Sequence, residues 1–211
     1  AEACVVAVLH ESRSSTAAAP RVVGTAVQQD GRSASLTAPN GQAQQGLLVA
    51  ALQDAGTPTR ALGLNEAHGT GTALGDPIEA GSLVGAVLSA REEALVVGGV
   101  KANIGHAEPA AGMTGLLKLA FSLRLGEAAP NAQLRVLNPH VESALADLPV
   151  VMPTQAAPLL GAGAGGVSSF GYSGTIAHAT LRAKPQALPE DHYEVIGLHR
   201  QRYNFSEPMH P

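Results

Sequence analysis

The chain has 211 residues, 45% hydrophobic and 14% charged, with a single Cys. Its 13 Lys and Arg against 17 Asp and Glu leave a net charge of −4. No basic block occurs, which argues against a nucleic-acid partner because phosphate binding needs clustered cations. One Cys excludes a disulfide framework and a thiolate zinc cluster. The longest nearly apolar stretch, residues 110–123, is broken by Lys118 and falls short of the ~20 residues that span a bilayer.

Residues 5–9 form a short β-branched apolar run that predicts a buried strand, in which Cys4 would be inert packing. Polar residues 11–20 predict a loop, residues 21–27 a second strand and residues 28–38 another loop. Asn40 is placed to cap a helix over 41–55, with Leu47, Leu48, Ala51 and Leu52 on one face and Gly56 and Pro58 beyond its end. Asp76, Pro77 and Glu79 have the spacing of an N-cap, a first-turn proline and a capping box. They predict a second helix with Ile78, Leu83, Ala86 and Val87 on its apolar side. Residues 94–100 read as a strand covered on both faces. Residues 109–125 read as a long helix, with Met113, Leu116, Leu117 and Ala120 at helical spacing. Residues 163–170 and 175–182 read as a closing pair of strands. Strands alternating with helices predict an α/β domain whose mostly parallel sheet is covered by helices. Beyond residue 183 the chain turns polar and Pro-containing, as a linker or tail would.

Three segments concentrate functional groups at predicted strand ends, the edge where open α/β sheets build their sites. In EAHGTGTALGDPIEA (66–80), Gly69 and Gly71 let the backbone approach a ligand, while Thr70 and Thr72 offer hydroxyls. Taken alone, His68 reads more readily as a satisfied core histidine. In KANIGHAEPAAG (101–112), Lys101, Asn103, His106 and Glu108 follow a buried strand directly. A purely structural reading makes Lys101 and Glu108 an ion pair and His106 a helix cap, but burying so many polar groups without a role is costly. GGVSSFGYSGTIAH (165–178) is a Gly-rich turn carrying Phe170, which suits either a hinged gate or an ordinary hairpin.

These three motifs, in this order and together with residues 29–44 and Asn138 to Val141, resemble the C-terminal half of a β-ketoacyl synthase. The resemblance covers about residues 4–182 and is closest to the ketosynthase domains of type I modular polyketide synthases. It implies a thiolase-like fold in which this chain is the second βαβαβ half, over residues 1–183, with residues 184–211 as a post-ketosynthase linker. It implies decarboxylative Claisen condensation of malonyl-type extender units with an acyl chain. By position, His68 and His106 match the histidines facing the thioester, Lys101 the lysine near them, and Glu108 the acid expected to pair with that lysine. Thr70 and Thr72 match the threonines that meet the phosphopantetheine arm, and Phe170 matches the gating aromatic.

No cofactor is expected to bind directly, because the substrates ride on the phosphopantetheine of an acyl carrier protein. No metal is expected, since the eight His residues form no ligand cluster. The family's Cys-bearing turn has no counterpart here, so the implied partners are the N-terminal half carrying that nucleophile, the carrier protein and a second copy of the completed domain. Without that half the chain is expected to be inactive. Ile176 stands where the family usually has Asn. An intracellular setting is implied, with cytosol and plastid both open. A carrier-binding ketosynthase-like scaffold and a thiolase-like acyltransferase are the alternatives.

Overall fold

The computed structural model describes residues 2–9, 11, 19–31, 38–159 and 163–184. The predicted tail beyond residue 184 and most of the two early loops, residues 12–18 and 32–37, lie outside the described residues. The strands are β1 (Arg21–Gln29), β2 (Leu62–Glu66), β3 (Leu95–Gly98), β4 (Glu127–Ala128), β5 (Val150–Val151), β6 (Ala157–Pro158), β7 (Ala164–Phe170) and β8 (Thr175–Arg182). The helices are α1 (Gly41–Asp54), α2 (Gly75–Leu83), the single-turn α3 (Lys101–Ile104), α4 (Ala111–Leu125) and α5 (Pro139–Leu145). One six-stranded sheet in the order β1-β8-β7-β2-β3-β5 carries the site. Its β2/β3, β2/β7 and β3/β5 pairings are parallel, as the strand–helix alternation predicts. The β7/β8 hairpin and the β1/β8 pairing add an antiparallel edge.

Each face of the sheet buries its own cluster. Leu48, Leu52, Leu83 and Val87 of the α1/α2 layer pack on Leu62, Leu95 and Val97. Leu119 and Leu123 of α4 pack on Leu64, Val167 and Leu181. The β2/β7 register shifts between Leu62 and Leu64, and those two leucines join opposite clusters. At Gly165 a Cβ would lie 2.6 Å from Leu119 Cδ1 and 2.9 Å from the Leu64 carbonyl, so α4 sits this close only because β7 has no side chain there.

Local signals performed unevenly. Asn40 caps α1 as predicted, accepting the amides of Gln42 and Ala43, and the predicted apolar face of α1 is buried. Asp76 is not the N-cap of α2. The helix starts two residues earlier than predicted, at Gly75 with Leu74 as N-cap, and Thr72 Oγ1 accepts the amide of Gly75 at 3.0 Å. The side chains of Asp76 and Glu79 are thereby released to hold the loop before the helix. The fully buried face of α4 is Ala111, Gly115, Leu119, Ser122 and Leu123; of the predicted residues, Leu116 and Ala120 pack at its margin, while Met113 is exposed. Gly115 sets the close approach, because a Cβ there would lie 3.3 Å from Glu66 Cγ and from Val167 Cγ2, so the helix sits this near β2 and β7 only with glycine at that position.

Residues 5–9 are the clearest departure. They form no strand, Val6, Val8 and Leu9 are exposed, and so is Cys4. An apolar run gains a strand's stability only from a ladder partner and a covered face.

The position of the α4 seam is tested by truncation. Leu119 has no exposed surface and Met113 is 37% exposed. Leu119→Ala is expected to lose about 2–5 kcal/mol in urea unfolding, whereas Met113→Ala stays within about 0.5 kcal/mol, the usual range for a surface change. The reverse order contradicts the seam described.

Candidate active site

The site starts from a buried acid. Glu66, the last residue of β2, has no exposed surface. Its Oε1 accepts the amide of Val100 at 2.5 Å, and its Oε2 meets Lys118 Nζ of α4 at 2.5 Å. Two residues beyond it the chain reaches His68, on a loop held by a second acid. Glu79 of α2 takes the amides of His68 (2.7 Å) and Gly69 (2.9 Å) on its two oxygens. Asp76 takes the amide of Gly71 at 3.1 Å. Burial pushes the Glu79 carboxyl up to about 7, against the pull of the two amides it accepts.

From β3 the chain passes through Val100 into α3, then Gly105 and His106. Gly105 has φ 77° and ψ 179°, a conformation open essentially to glycine alone, and it swings the chain back toward β2. The result brings the two histidines together. Their ring centroids lie 6.0 Å apart at an interplanar angle of 87°. The Phe170 ring, at the end of β7, lies 5.3 Å from that of His68.

Each imidazole is fixed by a backbone amide at Nδ1. Phe170 N donates to His68 Nδ1 at 3.3 Å, and Glu108 N donates to His106 Nδ1 at 2.9 Å. A nitrogen that accepts carries no proton, so each neutral ring holds its hydrogen on Nε2, as a donor. Burial first, then the Lys101 ammonium and His106, pulls the His68 pKa down to about 3. His68 is therefore neutral at neutral pH. His178 is the satisfied core histidine of this chain: it is buried, its Nδ1 lies 3.0 Å from Ser168 Oγ, and burial pulls it down to about 4.

Lys101 and Glu108 do not form the expected ion pair. The Lys101 ammonium donates to the carbonyl oxygen of His68. Burial lowers its pKa, opposed by Glu79, Glu66 and Asp76, and Glu108 is not among the acids acting on it. Glu108 is exposed, has φ 44° and meets His106 through its amide rather than its carboxylate. Thr70 is half-buried and Thr72 exposed, with hydroxyls 3.4 Å apart, Thr72 doubling as the anchor for α2. Ile176 is buried and sits opposite Phe170 in the β7/β8 register.

The sequence reading missed Glu66, Glu79 and Lys118. The usable signal was Lys118 itself, a cation in the middle of an apolar stretch, which calls for a buried acid. His106 is exposed and His68 half-buried. A cavity of about 370 Å³ lies behind their loop, among Ala67, Gly69, Glu79, Leu83 and Met152, and neither His68 nor His106 lines it.

Comparison with known proteins agrees with this architecture. The family model for the β-ketoacyl synthase C-terminal domain matches residues 20–135. The spectinabilin polyketide synthase system protein NorA' of Streptomyces orinoci is 43% identical over 81% of this chain and 5% of its own length. Erythronolide synthase EryA3 of Saccharopolyspora erythraea is 42% identical over 79% of this chain and 5% of its own. The chain thus spans about one twentieth of the length of these curated relatives. Among solved structures, the oxazolomycin ketosynthase domain OzmH KS7 of Streptomyces albus is 38% identical with a TM-score of 0.72, covering 80% of this chain and 30% of that one. The ketosynthase from module 6 of the bacillaene synthase of Bacillus subtilis is 31% identical with a TM-score of 0.71, covering 77% and 30%. The chain belongs to the β-ketoacyl synthase family, as the C-terminal half of a ketosynthase domain of the modular polyketide synthase type, with a thiolase-like fold.

Proposed function

We propose that this chain supplies the decarboxylating half of a condensing site, with His68 and His106 as paired hydrogen-bond donors to one thioester oxygen. Cleavage of the bond between carboxylate and α-carbon releases CO₂ from a malonyl-type thioester. The electron pair left behind delocalises onto the thioester oxygen as an enolate. Two imidazoles that present their N–H at Nε2 suit that oxyanion, because fixed donors stabilise charge as it develops. The observation that carries this reading is the backbone amide on each Nδ1, which leaves Nε2–H as the donor on rings 6.0 Å apart. Lys101 supports it by contributing to the depressed His68 pKa.

The enolate carbon then attacks an acyl thioester held on a Cys of the N-terminal half, forming the new carbon–carbon bond and releasing the Cys thiolate. This chain lacks that Cys-bearing turn, so its activity depends on the other half. The outward side of α4 supports such a partner: Met113, Phe121 and Leu125 are exposed, and a helix apolar all round belongs in a core. Thr70 and Thr72 would receive the phosphopantetheine arm of an acyl carrier protein, and Phe170, against His68, would gate it. The completed domain is proposed to dimerise and to work inside the cell, with residues 1–183 as its ketosynthase part and 184–211 as a linker. The buried Ile176 beside Phe170 favours one second reading, a carrier-binding scaffold without catalysis.

His106→Ala tests both readings in a complex of this chain with a Cys-bearing half. Decarboxylation of a malonyl thioester should fall ~100-fold or more, the usual cost of removing an oxyanion donor. An inactive unsubstituted complex that still binds carrier protein would support the scaffold. The pH dependence is a separate check. With His68 held near 3, its protonation should leave the decarboxylation rate untouched around the ordinary histidine value of 6.5. A His68 imidazole resonance titrating near 6.5 contradicts the neutral-donor arrangement.

A further inference from the structure

Lys118 and Glu66 play no part in the chemistry above, yet the fold makes unusual provision for them. The pair is nearly sealed from solvent, with side chains 11% and 1% exposed. Two glycines clear its space: a Cβ at Gly98 would lie 2.7 Å from Lys118 Nζ, and one at Gly115 would lie 3.3 Å from Glu66 Cγ. Burying two opposite charges is weak evidence of stabilisation, because desolvation offsets much of their attraction. A positional role accounts for the arrangement better.

Each contact of the carboxylate falls on a different anchor of the site. Its own backbone leads to His68 two residues on. Oε1 holds Val100, the residue that starts α3 on the N-terminal side of His106. Oε2 holds Lys118 of α4, on the C-terminal side of His106. The stretch from residue 100 to residue 118, which contains His106, is thus tied to one acid at both ends. We propose that the Glu66–Lys118 pair is the positioning element that sets the spacing of His68 and His106. This rests on the paired-donor reading for its catalytic meaning, and on geometry alone for its structural claim. A displacement of about 1 Å in a reacting arrangement is worth roughly 100-fold in rate.

The test is nuclear magnetic resonance on the full chain with labelled histidines, so failure of the condensation reading leaves it intact. The double variant Glu66→Gln/Lys118→Met removes both charges while roughly keeping shape, avoiding an unpaired buried ion. It is expected to keep the core methyl spectrum but lose the cross-relaxation between the His68 and His106 rings. Ring contacts and imidazole shifts unchanged in the folded double variant overturn the proposal, since a merely structural pair would leave them alone. Hydrogen exchange on the unsubstituted chain decides the matter if the variant fails to fold. The Val100 amide should then open together with those of Ala102, Asn103 and Gly105. Free exchange of those three beside a protected Val100 also overturns it.

Discussion

A carboxylate with no exposed surface stands at the end of β2, and the ends of β2 and β3 and the helix α4 all meet on it. An acid in that position must be paired, because an isolated buried charge costs far more than a fold of this size can tolerate. Its partners are a backbone amide and an ammonium, and each lies on an element that carries or flanks a histidine. Satisfying one electrostatic demand therefore fixes the relative placement of two strand ends. Glu79 repeats the device on a smaller scale, holding the His68–Gly69 turn with both of its oxygens.

The chemistry available at the site follows from how the rings are held. Backbone amides, rather than side chains, occupy Nδ1 of both histidines, so their tautomers are set by the main chain. A neighbouring ammonium and burial keep His68 uncharged. Around the rings His106 and Thr72 are exposed, while His68 and Thr70 are half-buried. On its far side α4 presents Met113, Phe121 and Leu125. A half-site beside an uncovered apolar helix fits a domain completed by a second body.

Much of the fold was legible because local rules and tertiary packing agreed. Asn40 before an amphipathic run, the apolar stretch of β3 and the β7/β8 hairpin each kept their predicted form. The family motifs singled out two histidines whose rings the fold brings to 6.0 Å. Signals failed where packing overrode them. Asp76 and Glu79 carry the spacing of a capping box, but loop amides competed for the same carboxylates and won. The seam of α4 was set by Gly115 fitting over Glu66, which hydrophobic periodicity does not register. Residues 5–9 had strand composition without a strand's neighbour. Glu108 is exposed and meets His106 through its amide rather than its carboxylate. Ile176, where the family usually has Asn, adds a buried apolar contact opposite Phe170 rather than an amide.

The most direct measurement is a structure of this chain joined to a Cys-bearing half and holding a malonyl thioester analogue that cannot lose CO₂. The thioester oxygen should then lie about 2.7–3.1 Å from Nε2 of both His68 and His106, the span expected of oxyanion donors. An oxygen bound by other groups, with either ring directed elsewhere, would remove the shared-donor account.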